Sequence, residues 1–556
     1  MTQATPLPGT ALAATHTPGA VDVVIVGSGA IGSLAAYELA SAGVRVLILE
    51  AGDAVDRPTA VRRFQSSIGK GPNSPYPSPE WAPHPDLDHL DRYLIDDGEG
   101  VDRFIGIYTR VVGGTTWHFT GFATRLRPND FRMRTLYGVG VDWPIQYADL
   151  ERFYEQAEQE WGVAGTPGQD MGAPRTTPYP LPGIPMSYLD QVVATAVKPL
   201  GLTVGPFPQA RNSELHDGRP PCCGSATCVP ICPIGAKYDG GVHAAKAVQA
   251  GARLVTRAVA ERVEVGADGR VSAVHVKHAD GSTSVVRGRI FVIAAHAIET
   301  PKLLLISRDE RTPNGVANSS DQVGRNLMSQ ASYDTRGLSR DPIYPYRGPI
   351  TTSGVLELRD GPFRAKHAAI GTSMLNRGWA IGSGPVNLAR DLALKGFRGE
   401  RLRTEIDRQL ARQLYVDTAA EMLPDPANRV TPDFDRRDAS GIPRPRVRCR
   451  IDDYTRRGLE IARSRHAAIM KAMHCTDVFD EPLSQSVAII AGTTRMGADP
   501  KTSVVDAELR SHDHENLFLL GTGTFPTTPI NPPTLTAAAL AIRAAGTIAA
   551  QLKSGA

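Results

Sequence analysis

Hydrophobic and polar positions along the chain fall into short, well-separated patterns. The first is the apolar block Asp22 to Val26 in VDVVIVGSGAIG, with the length and β-branched content of a strand buried in a parallel sheet. A helix-forming run, Ser33 to Ala42, follows, and a second strand-like block, Val44 to Leu49, ends in Glu50. Beyond Asp53 the pattern dissolves where Pro72, Pro75, Pro77, Pro79, Pro83 and Pro85 keep the chain irregular, the composition of a lid or cofactor cover. Apolar positions 147, 150, 154, 157 and 161 recur at helical spacing and read as a core-facing stripe. Alternating segments at Ala252 to Val265, Ser272 to His278 and Thr283 to Arg289 predict a small accessory sheet, closed by a buried strand from Ile290 to Ala294. Thr351 to Leu358 and Ala365 to Leu375 also have strand character, and a helix is expected from Thr536.

The front of the chain therefore reads strand, turn, helix, strand, acid, the order of a dinucleotide-binding α/β unit. The turn carries Gly27, Gly29 and Gly32 as G-x-G-x-x-G. Gly27 permits the tight turn, Gly29 lets backbone amides approach a pyrophosphate at the helix N-terminus, and Gly32 lets helix and strand pack closely. Glu50 is placed to accept hydrogen bonds from a ribose 2'-hydroxyl and to repel a 2'-phosphate.

Composition narrows the classes. With 556 residues, 41% hydrophobic and 21% charged, the chain has the size of two or three domains and the balance of a globular enzyme. A net charge of +3 gives no reason to expect nucleic acid as a partner. No apolar run approaches the length of a membrane span. Residues 1–20, rich in Pro, Ala and Thr, lack the charged and apolar regions of a secretory or twin-arginine signal and read as a disordered tail. The expected location is the cytoplasm, unless a signal-bearing partner subunit carries the protein out. Between Arg390 and Arg412 seven basic and four acidic residues read as a solvated helix face, with docking to an acidic acceptor as the alternative.

Two further runs carry chemistry. In RVVGGTTWHFTG, Arg110 to Gly121, Gly113 and Gly114 would let backbone pass close to a flat ring, with Trp117 as an apolar wall and His118 as a titratable neighbour. A buried turn with one satisfied histidine explains the same residues, and the run alone leaves both readings open. PPCCGSATCVPICPIGAKYDG places Cys222, Cys223, Cys228 and Cys232 together, out of six cysteines in the chain. Thiolates this close on a Gly/Pro loop suit an iron-sulfur cluster better than zinc, which takes paired ligands from separate knuckles. Spacing does not say which three would bind iron. Cys449 and Cys475 stand alone and read as thiols without a role.

The opening motif, RVVGGTTWHFTG and DWPIQYADLERFYEQAEQEWGVAG together resemble the glucose-methanol-choline (GMC) family of flavin oxidoreductases, more narrowly its bacterial branch of sugar and gluconate dehydrogenase catalytic subunits. The resemblance runs from about Val21 to Ala550. It implies a Rossmann-type α/β FAD-binding domain from 21–165, 240–330 and 480–556, a cysteine-bearing loop segment at 166–239, and a substrate domain at 331–479 whose antiparallel sheet roofs the flavin. It implies FAD held by Gly27, Gly29, Ala30, Gly32 and Glu50, by Arg110, Gly113, Gly114, Thr116, Trp117 and His118, and by Ala294 and Ala295 of RIFVIAAHAIETPKLLL. Gly521 and Thr522 of NLFLLGTGTFPT and Thr534 complete the set. It also implies a 3Fe-4S cluster on the four cysteines, passing electrons to an external acceptor such as a cytochrome subunit or quinone. Whether His118 bonds covalently to the flavin, as a histidine does in related pyranose oxidases, is undecided.

The sequence departs from the family where the reaction occurs. Hydride passes there from a substrate carbon to the flavin while a histidine, first residue of H-x-x-G-T-x-x-M-G, takes the hydroxyl proton. This chain reads IIAGTTRMG, with Ile489 in that place. Pro532 occupies the family's second position, and Asn531 precedes it. His296 replaces a glycine, and VGRNLMSQ carries Ser329 and Gln330 where an acid and a histidine are usual. Candidate catalytic groups are thus Asn531, His118 and His296, with bound water as a further proton acceptor and Asn428 and Arg429 as orienting groups. The expected reaction is oxidation of a CH-OH group of a sugar, polyol or sugar-like natural product. Amine oxidation or desaturation on the same cofactors is the alternative, and a redox-relay subunit the third reading.

Overall fold

The structure is a computed structural model, and it describes residues 21–554 except 69, 87–89, 99–102, 170, 378–383 and 486–488. The apolar block at the front forms β1 (Val23–Val26), buried at every position, followed by α1 (Ala30–Ser41) and β2 (Val46–Leu49). Three strands from distant parts of the chain join them: β3 (Arg253–Val255), β4 (Ile290–Ile293) and β5 (Leu517–Leu519). The sheet is parallel, in the order β5-β4-β1-β2-β3, with Val23 opposite Ile290 on one side and Val46 on the other. Strands from three regions share one sheet, so all their C-terminal ends open on the same edge, where ligands of such sheets bind.

Helix α1 packs against the helix Gly241–Gln249 and the C-terminal helix Thr534–Ser554, which in turn packs on Tyr147–Trp161. The stripe 147, 150, 154, 157 and 161 is buried throughout. Thr534–Ser554 is apolar and long enough to cross a membrane, but most of it lies inside the protein against α1. It reads as a core helix.

The accessory sheet is antiparallel and comprises Ala258–Val265, Val271–His278 and Thr283–Val286. The segment read as one strand from Ala252 to Val265 is two. Arg257 takes a left-handed φ of 57°, and this turn sends Arg253–Val255 to the edge of the parallel sheet and the rest to the accessory sheet.

A larger sheet is built from Thr476–Asp480, Ala331–Leu338, Gln413–Ala420, Ile370–Met374, Ser353–Val355 and Val204–Pro206, in that order, all antiparallel. The two segments with strand character contribute only their centres, Ser353–Val355 and Ile370–Met374. The basic region folds as two helices, Pro385–Leu394 and Gly399–Leu410. The second buries no residue and pairs Glu400 with Arg403 and Glu405 with Arg408 along its own surface, a solvated helix as expected.

The glycine turn after β1 is close-packed. A Cβ on Gly32 would lie 2.1 Å from the Gly27 carbonyl oxygen, and Gly27, at φ 100°, carries a position where a Cβ would lie 2.5 Å from the Ala294 oxygen. Both obstacles are backbone, which cannot swing aside. Gly32→Val is therefore expected to destabilise the protein by about 1–3 kcal/mol, read as a lowered midpoint in thermal or urea unfolding. An unchanged midpoint would show that helix and turn do not pack as described.

Candidate active site

The ends of β1, β2, β4 and β5 open into one cleft of about 1530 Å³, mouth included. Gly27, Gly29 and Ala30 line it at the start of α1, where no side chain caps the helix and the first turn holds no acid, so its amides and dipole face the cleft unanswered. A Cβ at Gly29 would meet nothing within 4 Å, which leaves the space an anion would use. Glu50 also lines the cleft. Its Oε2 accepts from the Ser28 amide (2.9 Å) and hydroxyl (2.7 Å) and its Oε1 from the Gly52 amide (2.9 Å), so the carboxylate is aimed before any ligand arrives.

Of the other expected cofactor residues, Arg110, Gly114, Thr116, His118, Ala294, Ala295, Gly521, Thr522 and Thr534 line the same cleft. Gly32, Gly113 and Trp117 stand behind its wall. Gly113 donates from its amide to the Ser28 carbonyl (2.9 Å), tying the wall to the glycine turn, and the Trp117 indole donates to the Val112 carbonyl (2.8 Å) with Arg57 stacked 4.5 Å away.

One side of the cleft carries a buried polar cluster that motif reading missed. Glu299 Oε1 accepts from the Tyr93 hydroxyl (2.8 Å) and from Tyr108, while Oε2 pairs with Lys302 at 2.6 Å. Lys302 also donates to Tyr93 (2.7 Å), and Arg110 reaches the same hydroxyl at 3.4 Å. Burial alone would raise the Glu299 pKa, but the charges of Lys302 and Arg110 outweigh it and hold the carboxyl at about 2. Two cations thus surround one anion on a surface that lines the cleft, an environment suited to a further negative charge. A signal existed in the sequence: Glu299 and Lys302 are an i, i+3 pair of opposite charge in the run from Ile298 to Leu305, whose other residues are apolar apart from Thr300.

His118 and His296 both face the cleft. The His118 Nε2 lies 2.7 Å from the Thr109 hydroxyl, and burial, with the charges of Lys237 and His84, pushes its pKa down to about 3. His296 adopts a left-handed φ of 83°, stacks on Tyr108 with ring centroids 4.4 Å apart and accepts at Nδ1 from the Ile298 amide (3.3 Å). Burial holds it at about 4, against the opposing pull of Glu299. Both imidazoles are neutral at ordinary pH. Ile489, in the family's base position, lines the cleft and cannot take a proton; Pro532, in the second position, does not line it, and its neighbour Pro533 does.

Asn531 does not line the cleft. Its oxygen accepts from Arg359 (3.0 Å) and its amide donates to the Arg125 carbonyl (2.8 Å), so both ends of the side chain are engaged two residues from Pro533. Gln330 donates to the Pro529 carbonyl (2.8 Å) in the same turn. Asn428 is taken up by the Arg450 backbone, and Arg429 is exposed; neither borders the cleft.

The cysteine loop lies behind the His118 wall. Cys228 and Cys232 are buried, Cys222 half-buried and Cys223 exposed. Backbone amides of Gly224 and Lys237 point at the sulfurs of Cys222 (3.4 Å) and Cys232 (3.5 Å). Burial pushes the Cys222 thiol up to about 11, lowered by Arg211 and raised by Cys228 and Cys232. Two buried cations, Arg211 and Lys237, flank the loop, and neither forms an ion pair among the described residues. The same residues contain no group of three or more His, Cys, Asp or Glu side chains arranged to hold a metal ion, the four cysteines included.

Comparison with known proteins accounts for this arrangement. Family models described as GMC oxidoreductase match residues 21–332 and 424–541. The chain belongs to the GMC oxidoreductase family. It is 40% identical to the fructose dehydrogenase large subunit of Gluconobacter japonicus, over 96% of this chain and 98% of that one. It is 30% identical to 6'''-hydroxyparomomycin C oxidase of Streptomyces lividus (96% and 92%), and 28% identical to 2-methyl-1,2-propanediol dehydrogenase of Mycolicibacterium austroafricanum (94% and 94%). Among solved structures, pyridoxine 4-oxidase shares the fold at a TM-score of 0.63 and 19% identity, covering 95% of this GMC chain and 99% of that one. The chain is thus a GMC oxidoreductase in fold and family, with an α/β Rossmann-like sheet beside antiparallel ones.

The buried histidines give this oxidoreductase a signature in acid. His84, His118, His296 and His466 are held at about 4, 3, 4 and 4 by burial, against 6.5 when exposed. Between pH 6.5 and 4 the unfolded chain therefore binds protons that the folded one refuses, and stability falls as pH falls. Each histidine contributes a slope of up to about 1.4 kcal/mol per pH unit. Urea unfolding at pH 7.5 and 5.5 is expected to show a clear loss at the lower pH; equal midpoints would mean that these imidazoles are not buried neutral.

Proposed function

We propose that this chain oxidises a CH-OH group of a sugar, polyol or sugar-like natural product with FAD in the cleft, and that electrons leave through an iron-sulfur cluster on the cysteine loop. The observation that carries the reading is the continuity of the site: the glycine turn and Glu50 at one end, His118, Ile489, Thr522 and Pro533 at the other, and the cysteines directly behind the His118 wall. The relatives named above act on sugars, aminoglycosides and a diol, which supports the substrate class. FAD, when bound, supplies the acceptor for the hydride.

The protein's own residues do the rest. The amides at Gly29 and Ala30 and the Arg110 guanidinium would hold the diphosphate, and Glu50, pre-aimed by Ser28, would accept from the ribose. With Ile489 in the base position, the hydroxyl proton goes to a neutral imidazole, His118 or His296, or to bound water. Asn531, fixed by Arg359 and Arg125, holds the Pro532-Pro533 turn against the cleft.

For the cluster, the donor set supports the reading rather than a ready-made geometry. Two of the four thiols are buried and a third half-buried, two have amide donors aimed at sulfur, and two buried cations with no ion pair among the described residues call for negative charge beside them. Cys222, Cys228 and Cys232 are the three that would bind iron; Cys223 stands outside. An external acceptor, a cytochrome subunit or quinone, follows from that exit. The relative's description as a large subunit supports a partner chain. The location proposed is cytoplasmic unless such a partner carries a signal.

Anaerobic mixing of the purified protein with sugars, polyols and amino sugars tests the reading. An alcohol is expected to bleach the flavin, after which the cluster's EPR signal changes. If dithionite reduces both centres and no alcohol does, the Ile489 substitution has changed the reaction, and amine oxidation or desaturation replaces this account. Iron analysis decides the cluster separately: near-stoichiometric iron in wild type, lost in Cys228→Ser, against none in either.

A further inference from the structure

Lys237 connects the two halves of the site. Its side chain is 1% exposed, and its Nζ donates to the carbonyl oxygens of Thr116 (3.1 Å), Trp117 (2.9 Å) and Phe119 (2.8 Å). An ammonium has three protons, and all three end on one four-residue segment. Two of those acceptor residues, Thr116 and Phe119, line the cleft, as does His118 between them. From the other side, the Lys237 amide donates to the Cys232 sulfur at 3.5 Å. The neighbouring Arg211, bridged to Lys237 through the backbone, donates to the Thr120 carbonyl at 2.8 Å and extends the attachment by one residue.

Burial lowers the Lys237 pKa to about 8, partly offset by Cys228, Cys232 and Asp239, so near pH 7 the ammonium persists with carbonyl oxygens as its direct partners. In an interior of low effective dielectric that charge is felt over a longer range than at a surface. The Lys237 stem also spans the layer between the cysteine loop and the cleft wall.

We propose that Lys237 is a positioning residue that fixes the Thr116–Phe119 wall to the cysteine loop and sets a positive charge directly behind that wall, favouring the reduced flavin. This rests on the function proposed above. A cation near the flavin stabilises the form that carries more negative charge, so its removal makes the flavin harder to reduce.

The test uses purified holoprotein and three variants, with the flavin midpoint potential as the main readout and iron content measured on the same samples. Lys237→Gln keeps hydrogen-bond donors and loses the charge; its midpoint is expected to move to a more negative value with FAD still bound. Lys237→Arg keeps the charge and replaces the compact three-proton head by a planar fork. It is expected to hold the wild-type midpoint while releasing FAD faster. Lys237→Met loses both charge and donors and is expected to show both effects. A wild-type midpoint in Lys237→Gln, or a shift in Lys237→Arg as large as in Lys237→Gln, overturns the proposal. Should Lys237→Gln not fold, Lys237→Arg decides alone: an unchanged midpoint with faster FAD release supports the proposal, and any other pairing overturns it. Absence of iron from the wild type removes the cluster from the account of function and leaves the flavin measurement to decide Lys237.

Discussion

The site depends on one backbone contact, the seating of Gly113 and Gly114 on the turn that follows β1. The Gly113 amide bonds the Ser28 carbonyl, Gly29 and Gly113 form a short parallel bridge, and a Cβ at Gly114 would come within 3.0 Å of the Gly29 Cα. Only backbone without side chains approaches backbone this closely. This contact carries the His118 wall onto the end of the parallel sheet. Through Lys237 it also brings the cysteine loop, which belongs to none of the sheets, within one side chain of the cleft. The Ser28 that receives Gly113 also aims Glu50, so the diphosphate end and the ring end of the site are organised from one turn.

Burial then sets the electrostatics. The histidines of the cleft are deprived of water and stay neutral, whereas Arg211 and Lys237 end on carbonyl acceptors and Arg110 and Lys302 surround Glu299. The result is a cleft bounded by fixed positive charge and neutral bases. Such a site suits an anionic dinucleotide and an alcohol whose proton must be accepted rather than donated. With Ile489 in place of a titratable base, the proposed oxidation would need its proton acceptor elsewhere in this cleft.

Much of the fold was legible because its signals are local. The apolar blocks at Val23 and Val46, the glycine spacing and the stripe from Tyr147 to Trp161 each determine their element within a few residues. The split of Ala252 to Val265 was not legible, since one left-handed residue, Arg257, decides it and nothing in its side chain announces that conformation. Partnerships across the chain were also hidden. No pattern near Lys237 points to Thr116, which lies more than a hundred residues away, and Asn531 looked free to face the cleft until Arg359 and Arg125 were seen to hold it. Motif reading found the atoms that touch a ligand through backbone and glycine. It missed the buried charges whose partners come together only by folding.

The most direct test of the account is the reduction of the flavin by an alcohol substrate carrying deuterium at the reacting carbon, measured in a single anaerobic turnover. The account predicts that flavin bleaching slows several-fold with the deuterated substrate, because that C–H bond breaks as its hydride leaves within the cleft. Bleaching at the same rate with both substrates would contradict it, and would place the chemistry at a bond other than the CH-OH hydrogen.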